Sequence, residues 1–344
     1  MPDIKPAIKT ILKIAAGLLA AAVLLVGAGL VAQYVNAAKP EHPVGFAEFT
    51  VQDPEDKPLK VGVWYPTDAS AGFNIIGLSA QMVALNGPVV GQDLPLVVIS
   101  HGTGGLLSSH SDTALALASA GFVVAAVNHT GDNAQDDSYV GSVRWLVDRP
   151  RHIHHVLDYM LNDWPAHAQL SAERVGMFGF SAGGFTALVS IGGVPDLAQI
   201  ATHCAKEPEF ACTLWNPATA TSVPSTAWVH DPRIKAAVIA APGYGFAFEP
   251  DGLSQVTAVV QLWNGTEDHS VPYATNEAVV QKLLRVSPEY HAVPGAGHFS
   301  FLAPCPSWLF PAICKDQKGF DRVAFHRDFN QAVIAFFQTH LAAR

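Results

Sequence analysis

Ser181 stands in Gly179-Phe180-Ser181-Ala182-Gly183, with a further glycine at 184. The residues before it, Arg174 to Phe178, read as a short buried strand, and those after it, through Ser190, are small and apolar at helical spacing. A strand running through Gly-x-Ser-x-Gly into a helix is a nucleophile elbow. The turn is so sharp that only small neighbours avoid a clash, and it lifts the serine hydroxyl above the sheet, beside the free N–H groups of the helix start. Serine is a weak nucleophile at neutral pH and needs a base in hydrogen-bond reach, itself oriented by a third group.

The chain offers both partners downstream, in the order acid then histidine. Gly265-Thr266-Glu267-Asp268-His269-Ser270-Val271-Pro272 follows a buried strand, and its spacing favours Asp268 over the adjacent Glu267. Gly295-Ala296-Gly297-His298-Phe299 follows the last strand, with glycines that let a loop carry His298 over the sheet. His298 is therefore the expected general base, ahead of His269 and His291, and Asp268 the orienting carboxylate. A second acid slot, after the preceding strand, holds Ala240-Ala241-Pro242, and no carboxylate follows there until Glu249 and Asp251. The transition state would carry an oxyanion. Its donors are expected to be the N–H of Ala182 and that of Thr103, with Gly104 next, in His101-Gly102-Thr103-Gly104-Gly105.

These residues need a sheet to hold them. Val44 to Asp53 and Leu59 to Tyr65 alternate loosely and predict a hairpin across Pro54–Pro58. Residues 66 to 93 read as a loop with at most one short helix. Leu94 to Ser100 and Gly121 to Asn128 are continuous apolar runs, the mark of strands buried on both faces. Ile234 to Ala241, Val256 to Trp263 and Glu289 to Val293 continue the series. Helices are predicted over 112–120, 149–161, 273–285 and 327–341. This alternation predicts an α/β fold, a mostly parallel, doubly wound sheet with helices on both faces. The stretch of about 193–233 has no clear periodicity, contains Pro195, Pro208, Pro217 and Pro224, and reads as a small cap insertion over the site.

Ahead of this domain, taken as 39–344, residues 1–38 carry Lys5, Lys9 and Lys13 followed by an uncharged run from Ile14 to Ala32. That pattern is a signal peptide or an N-terminal membrane anchor, with small residues at Val35-Asn36-Ala37 for cleavage. Either way the remainder is expected to be exported: periplasmic or secreted, or held to the inner membrane through residues 14–32. The four cysteines fit an oxidising compartment, as disulfides within the local pairs Cys204 with Cys212 and Cys305 with Cys314. Their spacing does not fit zinc. The net charge of -9 and the lack of a basic run past the N-terminus exclude nucleic acid as a partner. His152, His154, His155 and Asp158 share one helix, but no third and fourth ligand accompanies them, so packing and solvation is the reading and no metal is expected. Trp215, Trp228 and Trp308-Leu309-Phe310 would line an acyl pocket or fill the core.

From about residue 44 to the C-terminus the chain resembles the serine α/β-hydrolases grouped as predicted dienelactone hydrolases, which are similar to platelet-activating-factor acetylhydrolases. The resemblance rests on Ser100-His101-Gly102-Thr103-Gly104-Gly105, His129-Thr130-Gly131-Asp132-Asn133, Arg149-Pro150, Gly179 to Gly184, and Gly297-His298-Phe299 with Cys305 and Cys314. It implies an α/β-hydrolase fold, Ser181 and His298 in a triad, and Thr103 with Ala182 in the oxyanion hole. True dienelactone hydrolases use a cysteine where this chain has Ser181, and the acetylhydrolases place their acid where it has Ala241. The combined expectation is a serine hydrolase cleaving small-molecule carboxylic esters through an acyl-serine intermediate, with no cofactor. Acyl transfer, thioester cleavage and a non-catalytic binding protein on the same fold are the alternatives.

Overall fold

The computed structural model describes residues 5–216, 223–305 and 312–343. The helices are α1 Lys5–Val35, α2 Ser111–Ser119, α3 Val143–Asp158, α4 Ala182–Ser190, α5 Leu197–Lys206, α6 Phe210–Leu214, α7 Glu277–Leu283 and α8 Arg322–His340. The strands are β1 Val44–Val51, β2 Leu59–Pro66, β3 Gly72–Ile76, β4 Ser79–Leu85, β5 Leu94–Ser100, β6 Val123–Asn128, β7 Leu170–Phe180, β8 Ile234–Ala240, β9 Val259–Gly265 and β10 Glu289–Val293. They form one sheet in the order β10-β9-β8-β7-β5-β6-β2-β1-β4-β3. From β10 to β6 every pairing is parallel; β2 then joins β6 antiparallel and β1 joins β2 antiparallel.

Alternation along the central strands assigns their side chains to two cores. Leu96 and Val98 of β5, with Val123, Ala125 and Val127 of β6, point to the side covered by α3 and α4, where Trp145, Ile153 and Phe185 are buried. Val97 and Ile99, with Val124 and Ala126, face α2 and α8, where Leu115, Phe329 and Phe337 are buried. A sheet covered on both faces needs apolar residues at every strand position, and all seven residues of β5 are buried. This is the α/β-hydrolase architecture, a mostly parallel sheet with helices on both sides.

Two expectations from the sequence fail here. Residues 72–85 are not a loop: β3 and β4 pair as a hairpin, with Ile76 opposite Ser79. The two-residue turn puts Gly77 first, at φ 62°, while Leu78 keeps a negative φ. Gly-x is the signature of a type II′ turn, whose twist suits a hairpin. The helix expected from Arg149 starts six residues earlier and runs through Pro150. Pro150 looks like a first-turn proline, but Ser142 is the cap, its hydroxyl accepting the Trp145 N–H at 3.3 Å. Burial of Trp145, Leu146, Ile153, Val156 and Leu157 along one face holds the helix despite the missing donor.

Between α4 and β8 the chain, expected to lack periodicity, forms α5 and α6, bonded by Cys204–Cys212. Pro217 lies outside the described residues. The other local pair, Cys305–Cys314, is also a disulfide. Residues Leu12–Val35 of α1 have a mean hydropathy of 2.5 and none of that stretch is buried. The helix is long and apolar enough to cross a membrane, and with the two disulfides it is consistent with export.

Candidate active site

Ser181 sits between β7 and α4 at φ 56° and ψ -119°, a conformation that non-glycine residues seldom adopt. The close turn explains its neighbours. A side chain at Gly179 would overlap the Gly183 carbonyl oxygen, and one at Gly183 would overlap that of Ser100 at the end of β5. Because the strain falls on the one residue whose hydroxyl is presented, Ser181 Oγ is aimed rather than free to wander.

The other two groups arrive on loops at the same sheet edge. The loop after β9 and the loop after β10 are bonded to each other: Glu267 N–H donates to the Ala296 carbonyl at 2.9 Å and Gly295 N–H to Thr266 Oγ1 at 2.9 Å. That lacing sets Asp268 against His298. Asp268 Oδ1 accepts the N–H groups of Ser270 (2.9 Å) and Val271 (2.8 Å), leaving Oδ2 to accept His298 Nδ1–H at 2.7 Å. His298 Nε2 then accepts the Ser181 hydroxyl at 2.9 Å. The Asp268 side chain is fully buried, and the Phe180 ring lies 4.8 Å from the imidazole, centroid to centroid. A serine hydroxyl, an imidazole and a buried carboxylate are thus joined in one hydrogen-bond chain, an arrangement suited to making a serine nucleophilic.

The rival residues lie elsewhere. The Glu267 and His269 side chains are largely solvent-exposed and face each other at 3.9 Å. His291 stacks on Trp263 at 4.0 Å and bonds Glu289. Ala241, in the alternative acid slot, is buried with φ 44°, and Glu249 bonds Gln199. Of the two candidate oxyanion donors in the 101–105 loop, Gly104 N–H is taken by Asp132 Oδ1 at 2.7 Å. The Thr103 and Ala182 N–H groups have no acceptor among the described residues, and both residues line the cavity at Ser181.

That cavity has a volume of about 130 Å³ and an apolar wall of Phe180, Phe210, Ala211, Leu214, Tyr244, Val271 and Phe299. Phe210, Ala211 and Leu214 come from α6, within the stretch read as a cap, although the sequence there pointed to Trp215 and Trp228 and not to these residues. Tyr244 OH donates to the Ala211 carbonyl at 2.8 Å, fixing α6 over the site, and burial pushes that phenol above its ordinary range. Trp215 and Trp228 are not in this wall: both are buried in the core, Trp228 edge-on to Phe185. The Trp308-Leu309-Phe310 run lies outside the described residues. Among the described residues, a larger groove of about 500 Å³ between the end of α1 and the β3–β4 hairpin has no nucleophile paired with a base.

The histidines of α3 have separate tasks. His154 Nδ1 donates to Asp231 at 2.8 Å and its Nε2 lies 3.4 Å from Asp158. His152 is buried against Asp53 and His129. In the 101–105 loop itself, His101 Nδ1–H donates to the Gly102 carbonyl at 2.6 Å while Nε2 accepts His129 N–H at 3.2 Å, so the ring is neutral. Burial, helped by the nearby Arg149 guanidinium, pulls its pKa down to about 4.

Fold and site together define a serine hydrolase of the α/β-hydrolase class. Residues 108–304 match the prolyl oligopeptidase family, and residues 71–144 match platelet-activating factor acetylhydrolase, isoform II. The first match spans more than half of the chain, which belongs to the prolyl oligopeptidase family. Among solved structures it is similar to a ferulic acid esterase from Streptomyces cinnamoneus, at 20% identity and a TM-score of 0.62, over 88% of this chain and 92% of that one. A likeness at that identity is one of fold.

Proposed function

We propose that the protein hydrolyses carboxylic esters through an acyl-serine intermediate. The observation that carries this reading is the Ser181–His298–Asp268 hydrogen-bond chain beside two unsatisfied N–H groups. Ser181 Oγ attacks the ester carbonyl while His298 Nε2 takes its proton, and Asp268 stabilises the imidazolium that forms. The oxyanion is met by Thr103 and Ala182 N–H. His298 returns the proton to the departing alkoxide, which leaves as the alcohol. Water, deprotonated by His298, then attacks the acyl carbon; the bond to Ser181 Oγ breaks, the acid leaves, and His298 returns the proton to Ser181. The α5–α6 segment acts as a small cap over the acyl group. A cavity of about 130 Å³ holds roughly four water-sized groups, which favours short acyl chains. The site needs no metal or organic cofactor for these steps. The apolar stretch of α1 is the export element, retained as an inner-membrane anchor or removed as a signal peptide, with the catalytic part on the far side.

Peptide-bond cleavage is the second reading, favoured by the family match alone. The test is to label the full chain with a fluorophosphonate and follow p-nitrophenyl acetate, butyrate and octanoate beside a proline p-nitroanilide. Stoichiometric label, ester turnover that falls from butyrate to octanoate, and loss of both in Ser181→Ala are expected. Turnover of the anilide at a rate comparable to the acetate would favour the second reading, and turnover retained in Ser181→Ala would overturn both.

A further inference from the structure

The buried ion pair Asp132–Arg149 lies outside the three groups that carry out the chemistry. Both side chains are 1% exposed. Asp132 follows β6 and Arg149 lies on α3, yet both reach the loop after β5. One Asp132 oxygen accepts the Gly104 N–H at 2.7 Å; the other is shared by the Trp145 indole N–H and Arg149 Nη1. Arg149 Nη2 donates to the His101 carbonyl and to Ser100 Oγ, the latter at 3.2 Å. Its Nε donates to Thr186 Oγ1 at 3.0 Å, and the Thr186 hydroxyl donates to the Ala182 carbonyl at 2.8 Å.

The pattern brackets one peptide unit. The loop is fixed at the His101 carbonyl by the cation and at the Gly104 N–H by the anion, with only Gly102 and Thr103 between. On the other side the same guanidinium, through Thr186, holds the first turn of α4. A buried ion pair is a poor device for stability, since desolvating two charges offsets most of their attraction. It is a good device for geometry, because the planar guanidinium fork fixes several acceptors in one frame. Oxyanion stabilisation depends on donors that do not move when charge develops.

We propose that Asp132 and Arg149 are positioning residues for the oxyanion site: together they hold the 101–104 loop and the start of α4 so that the Thr103 and Ala182 N–H groups converge above Ser181. The proposal rests on the ester-hydrolase reading given above. It concerns the transition state and not substrate capture, so its signature is in kcat.

The test uses the full chain in detergent with Asp132→Asn, Arg149→Lys and, as a milder change, Thr186→Val, which leaves the ion pair in place. Active sites are counted by fluorophosphonate titration, so turnover is expressed per competent Ser181. For Asp132→Asn and Arg149→Lys, kcat for p-nitrophenyl acetate should fall about 10²–10³-fold, the range for one lost oxyanion donor, with KM within threefold. The inhibition constant of a trifluoromethyl ketone, which forms a hemiketal oxyanion on Ser181, should rise by the same factor. Thr186→Val should lower kcat and weaken the ketone together by about one tenth of that effect or more. Wild-type kcat per titrated site with an unchanged ketone constant in Thr186→Val and in whichever ion-pair variant folds would overturn the proposal. So would ion-pair variants that fail to fold together with a silent Thr186→Val. If Ser181 takes no label in the wild type, or Ser181→Ala retains turnover, the ester-hydrolase reading itself has failed, and the proposal with it.

Discussion

Replacing Asp268 by Asn changes one oxygen to an amide nitrogen, and the local hydrogen bonds decide which one. Two backbone N–H groups, of Ser270 and Val271, point at Oδ1, so the Asn carbonyl must stay there. The amide NH₂ is then forced to face His298 Nδ1 at the 2.7 Å position. An NH₂ can only donate, so Nδ1 becomes the acceptor and the ring proton moves to Nε2, which faces Ser181 Oγ at 2.9 Å. The base is blocked by its own proton. In a serine protease triad the same change costs about 10⁴ in kcat, which at 1.36 kcal/mol per tenfold is about 5.4 kcal/mol. The assay is p-nitrophenyl acetate turnover at pH 7–8, with KM and near-ultraviolet circular dichroism as controls. KM and fold should be retained and kcat should fall by three to four orders of magnitude, whereas Glu267→Gln should be silent. A loss below tenfold in Asp268→Asn would show that the carboxylate does not set the tautomer, and the Ser–His–Asp reasoning would fail.

Further outcomes follow from two features away from the triad. Burial pushes His110 down to about 3, between the Phe178 and Phe180 rings. As pH falls below about 6.5 the unfolded chain takes up this proton and the folded one does not, so the stability is present above that value and lost progressively toward pH 3. His110→Phe should therefore flatten the fall of urea-unfolding free energy over that window by up to about 1.4 kcal/mol per pH unit, and an unchanged slope would mean that His110 is not protected. Removing the Cys204–Cys212 bond by the double serine variant opens a short loop and should cost about 2.5 kcal/mol by the chain-entropy relation. Because α6 walls the cavity, the same variant should raise octanoate turnover relative to acetate; an unchanged chain-length profile would separate α6 from acyl selection.

How far the sequence could be read follows from where the information lies. The β5, β6 and β8 runs are apolar except at Ser100, Asn128 and Lys235, because both faces of the sheet are covered, and such runs are visible without a partner. Ser181, Asp268 and His298 each follow a strand and are flanked by glycine or proline, so their loops could be placed at one edge before any contact was known; the structure brings the three side by side. The β3–β4 hairpin escaped because its strands lack a strong apolar alternation, with Gln81 buried where an apolar residue would be looked for, and the turn is marked by Gly77 alone. The start of α3 escaped because Pro150 imitates a first-turn proline, and only the burial of Trp145 and Leu146 reveals the earlier turns. The Asp132–Arg149 pair joins residues 17 positions apart, each beneath the sheet edge, and no local pattern announces that they meet. Trp215 and Trp228 were ambiguous because bulk alone does not say whether a ring faces a cavity or a core.

The way α1 meets the domain has a mechanical consequence. The helix ends at Val35; Ala38 N–H already donates to the Ala80 carbonyl at 2.8 Å and its own carbonyl accepts Met82 N–H at 2.9 Å. The Tyr34 ring, one residue before the helix end, leans on Phe73 at 5.6 Å. Two intervening residues span about 7 Å when fully stretched, so there is no leash. A flexible tether of tens of residues would let a catalytic centre sweep a dome above its anchor and meet molecules at many heights. A chain that keeps α1 in a bilayer works instead as a lamp on a rigid stem: its height and tilt follow from the helix, and turning the helix about its axis turns the Ser181 cavity with it.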